Sequence, residues 1–464
     1  MILGVRAAAL LPQNPPAADG LPTPRRYWAV AAIILAIVMS VLDSTIVNVA
    51  LPSIARDLHA SSAASIWVVN AYQLAILIVL LPLSSLGEVV GYRRVSQAGI
   101  AVFTLGSLAC ALAPNLLLLS IARVLQGLGA AGIMSVNAAL VRFTYPHRAL
   151  GRAIGINAFV VASAAAIGPT LASAILAVAH WRWLFGINLP LGLITFAIAL
   201  RSLPESERTR RPLNYAGALL YAGACGLALS GLQSFAHHEA TSLAVLQLGG
   251  GVLIGWLLVR HERPRSHPIV PFDLLRVPLL SLSLLTSVCS FMAQMAALVS
   301  LPFEIQRLGH SAVETGLFMT PWPLALAVAA PVAGRLADRH NAALLGAAGL
   351  AAMAVGLALL ALYPPQAAAV GFIWRMALCG LGFGFFQAPN NRTIMATAPR
   401  ARSGAAGGML SAARLIGQTL GAASVAILFR AYDSAGSNVA LFLAAALALG
   451  GAGISLLRVR RAAP

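Results

Sequence analysis

One carboxylate lies where a carboxylate is costly. Asp43 sits inside an apolar run that begins at about Tyr27 and is long enough to cross a bilayer as helix. An ionised group there must face a pathway or a partner, so Asp43 is the first candidate functional residue. Desolvation works against its charged form, which brings proton exchange near neutral pH within reach. A cation would favour the ionised form. Competition between a proton and a cation for one carboxylate is enough to couple their movements. The alternative is a structural acid that caps or pairs locally.

Arg123 is the second candidate. It also lies inside an apolar run, with no acid nearby in sequence. Guanidinium stays protonated in proteins, so Arg123 would tune a carboxylate or hold water and not carry the proton. Asp43 is one candidate partner; a strut to backbone carbonyls is the other reading. Arg375 and Arg414 are similar intramembrane arginines later in the chain, each equally readable as structural. Gly168-Pro169 removes a backbone donor inside a helix and permits close approach. It is either a bend that shapes an exit path or an ordinary kink.

These residues need membrane helices to position them, and the composition supplies them. The chain has 464 residues, 59% hydrophobic and only 9% charged, against about 25% charged in a soluble protein. We read about fourteen candidate spans, from roughly 27–50 to roughly 437–457. Of 31 basic residues, all arginine, 24 fall in one alternating set of segments and four in the other. That asymmetry is the signature of membrane orientation and places both termini in the cytoplasm. It makes nucleic acid an unexpected partner despite the net charge of +18. The four cysteines lie singly in apolar runs. No phosphate-cradling loop, catalytic triad or zinc motif appears, so neither enzyme activity nor a cofactor is expected.

The chain repeats itself. Arg123, Gly127, Gly129 and Asn137 in the fourth span recur as Arg375, Gly380, Gly382 and Asn390 in the twelfth. Ser84 to Arg94 after the second span recurs as Gly334 to Arg339 after the tenth. Spans one to six thus correspond to spans nine to fourteen, with two left over. The expected domains are a tail at 1–24, a six-helix bundle at 25–204, an inserted pair at 205–276 and a second bundle at 277–464. Internal repeats of this kind build secondary transporters with a site near the bilayer midplane.

Leu42-Asp43-Ser44-Thr45-Ile46-Val47-Asn48-Val49-Ala50-Leu51-Pro52 resembles the first-helix signature of the fourteen-span drug:proton antiporters of the major facilitator superfamily. Ser84 to Arg94 resembles the superfamily's loop motif between helices two and three, with Ser84 for the usual Gly and Glu88 for the usual Asp. Arg123 with Gln126, Gly127 and Gly129 resembles the fourth-helix motif that the family links to proton transfer. Gly155, Gly168 and Pro169 resemble the antiporter motif of helix five, in which Ala164, Ala172 and Ser173 stand for glycines. Trp181 to Phe185 and Asn188 to Gly192 resemble a further hallmark at helix six.

The resemblance implies an all-α major facilitator fold of two six-helix bundles plus two inserted helices. It implies a proton-coupled antiporter in the bacterial cytoplasmic membrane that exports small lipophilic or cationic compounds. The expected partners are a small-molecule substrate, protons and the lipid bilayer, and the expected state is a monomer. Asp43 and Arg123 would couple proton to substrate. Glu88, Gly91, Arg93 and Arg94, mirrored by Gly334, Asp338 and Arg339, would latch the halves on the cytoplasmic side. Gln294, Met295, Trp322, Arg375, Phe386, Gln387 and Asn390 would line a cavity suited to lipophilic cations. An exporter of one specific metabolite, and a non-transporting receptor or scaffold, are the alternatives.

Overall fold

The computed structural model describes residues 20–462 apart from 147–148, 207–212, 237–240, 264, 266–267, 338, 364–368, 399–402 and 433–434. Apart from one 3-10 turn at Leu274–Arg276, the elements are α-helices. The first half holds α1 (Arg25–Asp57), α2 (Ser62–Ser65), α3 (Trp67–Val90), α4 (Tyr92–Leu112), α5 (Leu116–Thr144), α6 (Leu150–Val178), α7 (Trp183–Gly186) and α8 (Asn188–Ser202). Then come α9 (Tyr215–Ala236) and α10 (Thr241–Glu262). The second half holds α11 (Pro278–Arg307), α12 (Ala312–Met319), α13 (Pro321–Leu336), α14 (Ala342–Ala361), α15 (Ala369–Thr397), α16 (Ser403–Tyr432) and α17 (Gly436–Ala462).

Among the described residues twelve helices are long and apolar enough to cross a membrane. Shorter apolar stretches, Ser163–Val178 of α6 and Tyr215–Gly231 of α9, add two more. Twelve spans qualify by length, and the expected count of about fourteen is reached only by adding these two shorter stretches. The chain is a multi-pass membrane protein. We call the end where α1 begins and α17 finishes the terminal end, and the end at Asp57 and Arg307 the distal end.

Packing repeats as the sequence does. In the first half α5 packs on α3 and α4, and α1 on α6 and α8. In the second half α15 packs on α13 and α14, and α11 on α16 and α17. The halves meet through α1 with α11, α6 with α12 and α13, and α3 with α16. Helices α9 and α10 pack on each other, and α9 lies against both α3 and α16.

Local chemistry fixes where the helices start and which way they face. Asn115 caps α5 by accepting from Leu118 N at 2.9 Å. That puts Arg123 roughly 12 Å into the helix at 1.5 Å per residue. Leu117, Ile121, Val124 and Leu128 form an exposed stripe on α5, as a lipid-facing surface requires. Ala122, Arg123, Gln126 and Ala130 are buried on the opposite stripe. The arginine therefore points inward by helical register alone. At the distal end, Trp181 Nε1 donates to Asp57 Oδ2 at 2.9 Å and pins the end of α1.

Candidate functional site

Five helices bring their polar side chains to one point inside the first half. Asp43 on α1 and Arg123 on α5 form a salt bridge with both side chains about 1% exposed. Asp43 Oδ1 also accepts from Gln126 Nε2 at 2.7 Å and from Asn188 Nδ2 at 3.0 Å. Arg123 Nε donates to the Val68 carbonyl of α3 at 2.9 Å, and its Nη1 donates to Gln126 Oε1 at 2.6 Å. The guanidinium lies 4.1 Å from the ring centroid of Tyr72, a cation–π contact. Gln126 Nε2 donates further to Ser107 Oγ on α4 at 2.8 Å.

The arrangement is dictated by the cost of burying charge. Removing two ions from water costs several kcal/mol each, and attraction between them repays this only when their remaining hydrogen-bonding groups are satisfied. Here the carboxylate receives three donors, and the guanidinium has three acceptors and the Tyr72 face. The amide of Gln126 has one workable orientation: its NH2 faces Asp43 and Ser107, and its oxygen faces Arg123. As a pair the two ions are neutral. A proton arriving on Asp43 cancels the negative partner and leaves the cation of Arg123 to be matched elsewhere. The site can therefore convert a protonation step into a demand for new contacts.

The helix-five motif supports this site from the side. A Cβ on Gly168 would overlap Thr45 Oγ1, two residues along α1 from Asp43. Only glycine lets α6 come this close to α1. The next residue, Pro169, presents its carbonyl to Ser173 Oγ at 2.9 Å, and a Cβ on Gly316 of α12 would overlap both. Gly155 lies near the start of α6.

The other residues singled out in the sequence are scattered. Glu88 and Arg94 are exposed, and Gly91 takes a φ of 103° at the turn between α3 and α4. Arg93 bonds to the Leu200 carbonyl of its own half and to Glu205, just beyond α8, at 3.2 Å, not to the second half. Gly334 lies in the last turn of α13, Arg339 just beyond it is exposed, and Asp338 lies outside the described residues. Met295, Trp322 and Phe386 are buried in an apolar core to which both halves contribute, Gln73 Nε2 of α3 donates to Met295 Sδ at 3.8 Å, and Gln294 and Gln387 are half-buried. Asn390 donates to Ser287 Oγ at 2.8 Å and accepts from Arg458 Nη1 at 2.8 Å, linking α15 to α11 and α17.

The sequence repeat does not reproduce the ion pair. Arg375 donates to the Gly371 carbonyl at 2.6 Å and lies 4.5 and 4.7 Å from the rings of Trp374 and Tyr363. The reason is on α11. Pro52 and Pro302 are 250 residues apart, and the same offset carries Asp43 onto Ala293, which is buried and has no charge to offer. Sequence reading missed Tyr72 and Ser107 as members of the network. It also missed Asn48, Asn70 and Gln73, whose side-chain oxygens are buried without a donor on α1 and α3. Polar residues three apart in the second span, Asn70 and Gln73, were the available signal.

The model of the family described as the Major Facilitator Superfamily matches residues 33–422. The chain belongs to the major facilitator superfamily. As a member of it, the protein is a membrane transporter of small molecules and not an enzyme. It is 52% identical to "Uncharacterized transporter YebQ" of Escherichia coli over 95% of this chain and 97% of that protein. It is 32% identical to "Multidrug resistance protein Stp" of Mycobacterium tuberculosis, over 86% and 75% of the two. It is 30% identical to "Riboflavin transporter RibZ" of Clostridioides difficile, over 87% and 89%. The fold of this facilitator matches a bacterial homologue of the human lysosomal transporter Spinster, in an inward-facing and occupied conformation, with a TM-score of 0.70 at 15% identity over 95% and 98% of the chains.

Proposed function

We propose that this facilitator is a proton-coupled antiporter that exports small lipophilic compounds, cationic ones among them, from the bacterial cytoplasm by alternating access. The observation that carries the reading is the buried Asp43–Arg123 pair. A transporter driven by protons needs a titratable group whose protonation changes the stability of one conformation against another. Protonated Asp43 leaves Arg123 unmatched in a low-dielectric interior, which favours a state that admits water or a new partner. Such a group has no use in a passive scaffold.

Contacts between the halves support the alternating-access part. Arg56 Nη2 donates to Gln306 Oε1 at 2.7 Å, and the Thr170 and Thr320 hydroxyls lie 2.8 Å apart. Both pairs join the halves in the distal portion of the bundle. In this reading the arginine-rich terminal end faces the cytoplasm, and the cluster of Glu88, Gly91, Arg93 and Arg94 with Gly334, Asp338 and Arg339 closes it in the opposite state. Residues 25–204 and 277–464 move as two bodies about the connection at 205–276.

The multidrug name of one relative supports a broad substrate range, and the riboflavin name of another supports the reading of one specific metabolite. Efflux driven by an imposed pH gradient, measured with a panel of dyes, quaternary ammonium compounds and riboflavin, separates the two. Wild type moves several unrelated compounds and Asp43→Asn moves none under the gradient. An Asp43→Asn protein that pumps as well as wild type sinks the coupling role of this pair.

A further inference from the structure

Arg414 differs from the other arginines deep in the described helices. Arg123 has Asp43, Arg458 has Asn390, and Arg375 has a carbonyl and two rings. Among the described residues no hydrogen bond or ion pair satisfies Arg414, and its Nε is shielded from solvent without an acceptor. It lies in the middle of α16, roughly 16 Å from the start of that helix at 1.5 Å per residue.

The register of α16 shows where it points. Ser411, Arg414 and Gln418 share one face, all half-buried, and Gly407 extends that face toward the terminal end. A Cβ on Gly407 would meet nothing within 4 Å, so the face borders open space there. The flanking faces are occupied. Gly417 and Gly421 pack on the α11 backbone, and Leu415 and Ile416 pack into the core that includes Tyr72 and Leu77 of α3. The polar face therefore points between α11 and α3, into the seam of the two halves. Leu415, next to Arg414 in α16, shares a buried core with Tyr72 of α3, and the Tyr72 ring underlies Arg123. It faces the ion-pair site from the opposite half.

An unmatched cation at this depth is costly, and among the described residues the buried carboxylates, Asp43 and Glu262, have other partners. Asp43 already receives three donors. The missing charge must come from outside the chain. We propose that Arg414 is the specificity-determining residue for an acidic group on the transported compound, so that among otherwise similar compounds those with a carboxylate or similar anion, alone or beside a cationic centre, are preferred. Guanidinium suits this role because its fork can take a carboxylate with two parallel bonds. The proposal rests on the export reading, and it adds an ionic preference that Asp43, already paired, does not supply.

The test is binding to the purified full-length protein in non-ionic detergent. The probes are two xanthene dyes that differ only in a free carboxylate or its methyl ester, followed by fluorescence anisotropy. Wild type binds the acid at least about tenfold more tightly than the ester, the scale of a charge-assisted pair. Arg414→Gln erases that preference while ester affinity stays, and Arg414→Lys keeps part of it. Equal affinity of wild type for the two dyes overturns the proposal, as does no binding of the acid or an equal loss of both dyes in Arg414→Gln. Phosphatidylglycerol added to the micelles leaves the preference intact; if it abolishes the preference, the anion Arg414 takes is a lipid headgroup and the proposal fails. Acid-selective binding without gradient-driven efflux would leave the site standing and remove the export reading alone.

Discussion

The amide of Gln126 holds the carboxylate of Asp43: Nε2 donates to Oδ1 at 2.7 Å while the amide oxygen takes Arg123 Nη1 at 2.6 Å. One neutral side chain thus ties both ions and Ser107 together. Gln126→Leu keeps much of the volume and strands these groups, at a cost of about 1–3 kcal/mol for each buried group left unsatisfied. The expected result is a clear drop in the midpoint of thermal unfolding in detergent. An unchanged midpoint would show that the amide adds nothing to the pair.

The pair itself is expected to behave as a unit. Arg123→Gln alone leaves a buried carboxylate without its cation, a loss on the order of 3–5 kcal/mol for a broken buried pair. Combining it with Asp43→Asn removes both charges and recovers most of that stability. A double-mutant cycle on unfolding free energy measures the coupling. The double variant folds but does not drive efflux from a pH gradient. Additive single effects would mean that the two residues do not sense each other.

Gly316 is expected to set how tightly the distal end closes. A methyl group there collides with Ser173 Oγ and the Pro169 carbonyl of the other half. Gly316→Ala should prise α12 from α6. A cysteine placed at Thr170 then reacts faster with a membrane-impermeant maleimide than it does with glycine at 316. Adding Ser173→Ala relieves part of the clash and slows labelling again. Labelling that ignores both changes would rule out this contact as a closure point.

Thr170 and Thr320 offer a covalent version of the same test. Their hydroxyls are 2.8 Å apart on opposite halves. In a background without Cys110, Cys225, Cys289 and Cys379, Thr170→Cys with Thr320→Cys should form a disulfide under mild oxidation. After cleavage at a protease site inserted at 207–212, the two fragments remain joined until reductant is added. Flux stops in the oxidised protein and returns on reduction. Continued flux in the cross-linked protein would show that the halves need not separate here.

What the sequence disclosed and what it withheld follow one rule. A charge in an apolar run is conspicuous, so Asp43 and Arg123 were visible, and the arginine's inward direction follows from the leucine stripe on its helix. That the two meet depends on how α1 packs against α5, which no spacing encodes. Tyr72 and Ser107 looked like ordinary span residues because hydroxyls in helices usually bond their own backbone, as Ser107 does to the Phe103 carbonyl at 2.9 Å. The repeat was legible as architecture and misleading as chemistry. It equated Arg375 with Arg123, but the partner position on α11 holds Ala293. The helix count was legible from hydropathy because lipid demands the same length of every span.

Helix α9 touches α3 of one half and α16 of the other. Its attachment is unequal. Tyr221 Oη donates to the Leu77 carbonyl of α3 at 3.1 Å, while no hydrogen bond ties it to α16 among the described residues. In the alternating access proposed above, α9 should ride with the first half and glide over the second, like a bearing fixed to one side of a joint. A bearing surface wants no deep notches. Bulky or bonding substitutions on α9 where it meets α16 should therefore slow turnover without touching affinity, so that friction and recognition become separable properties of one molecule.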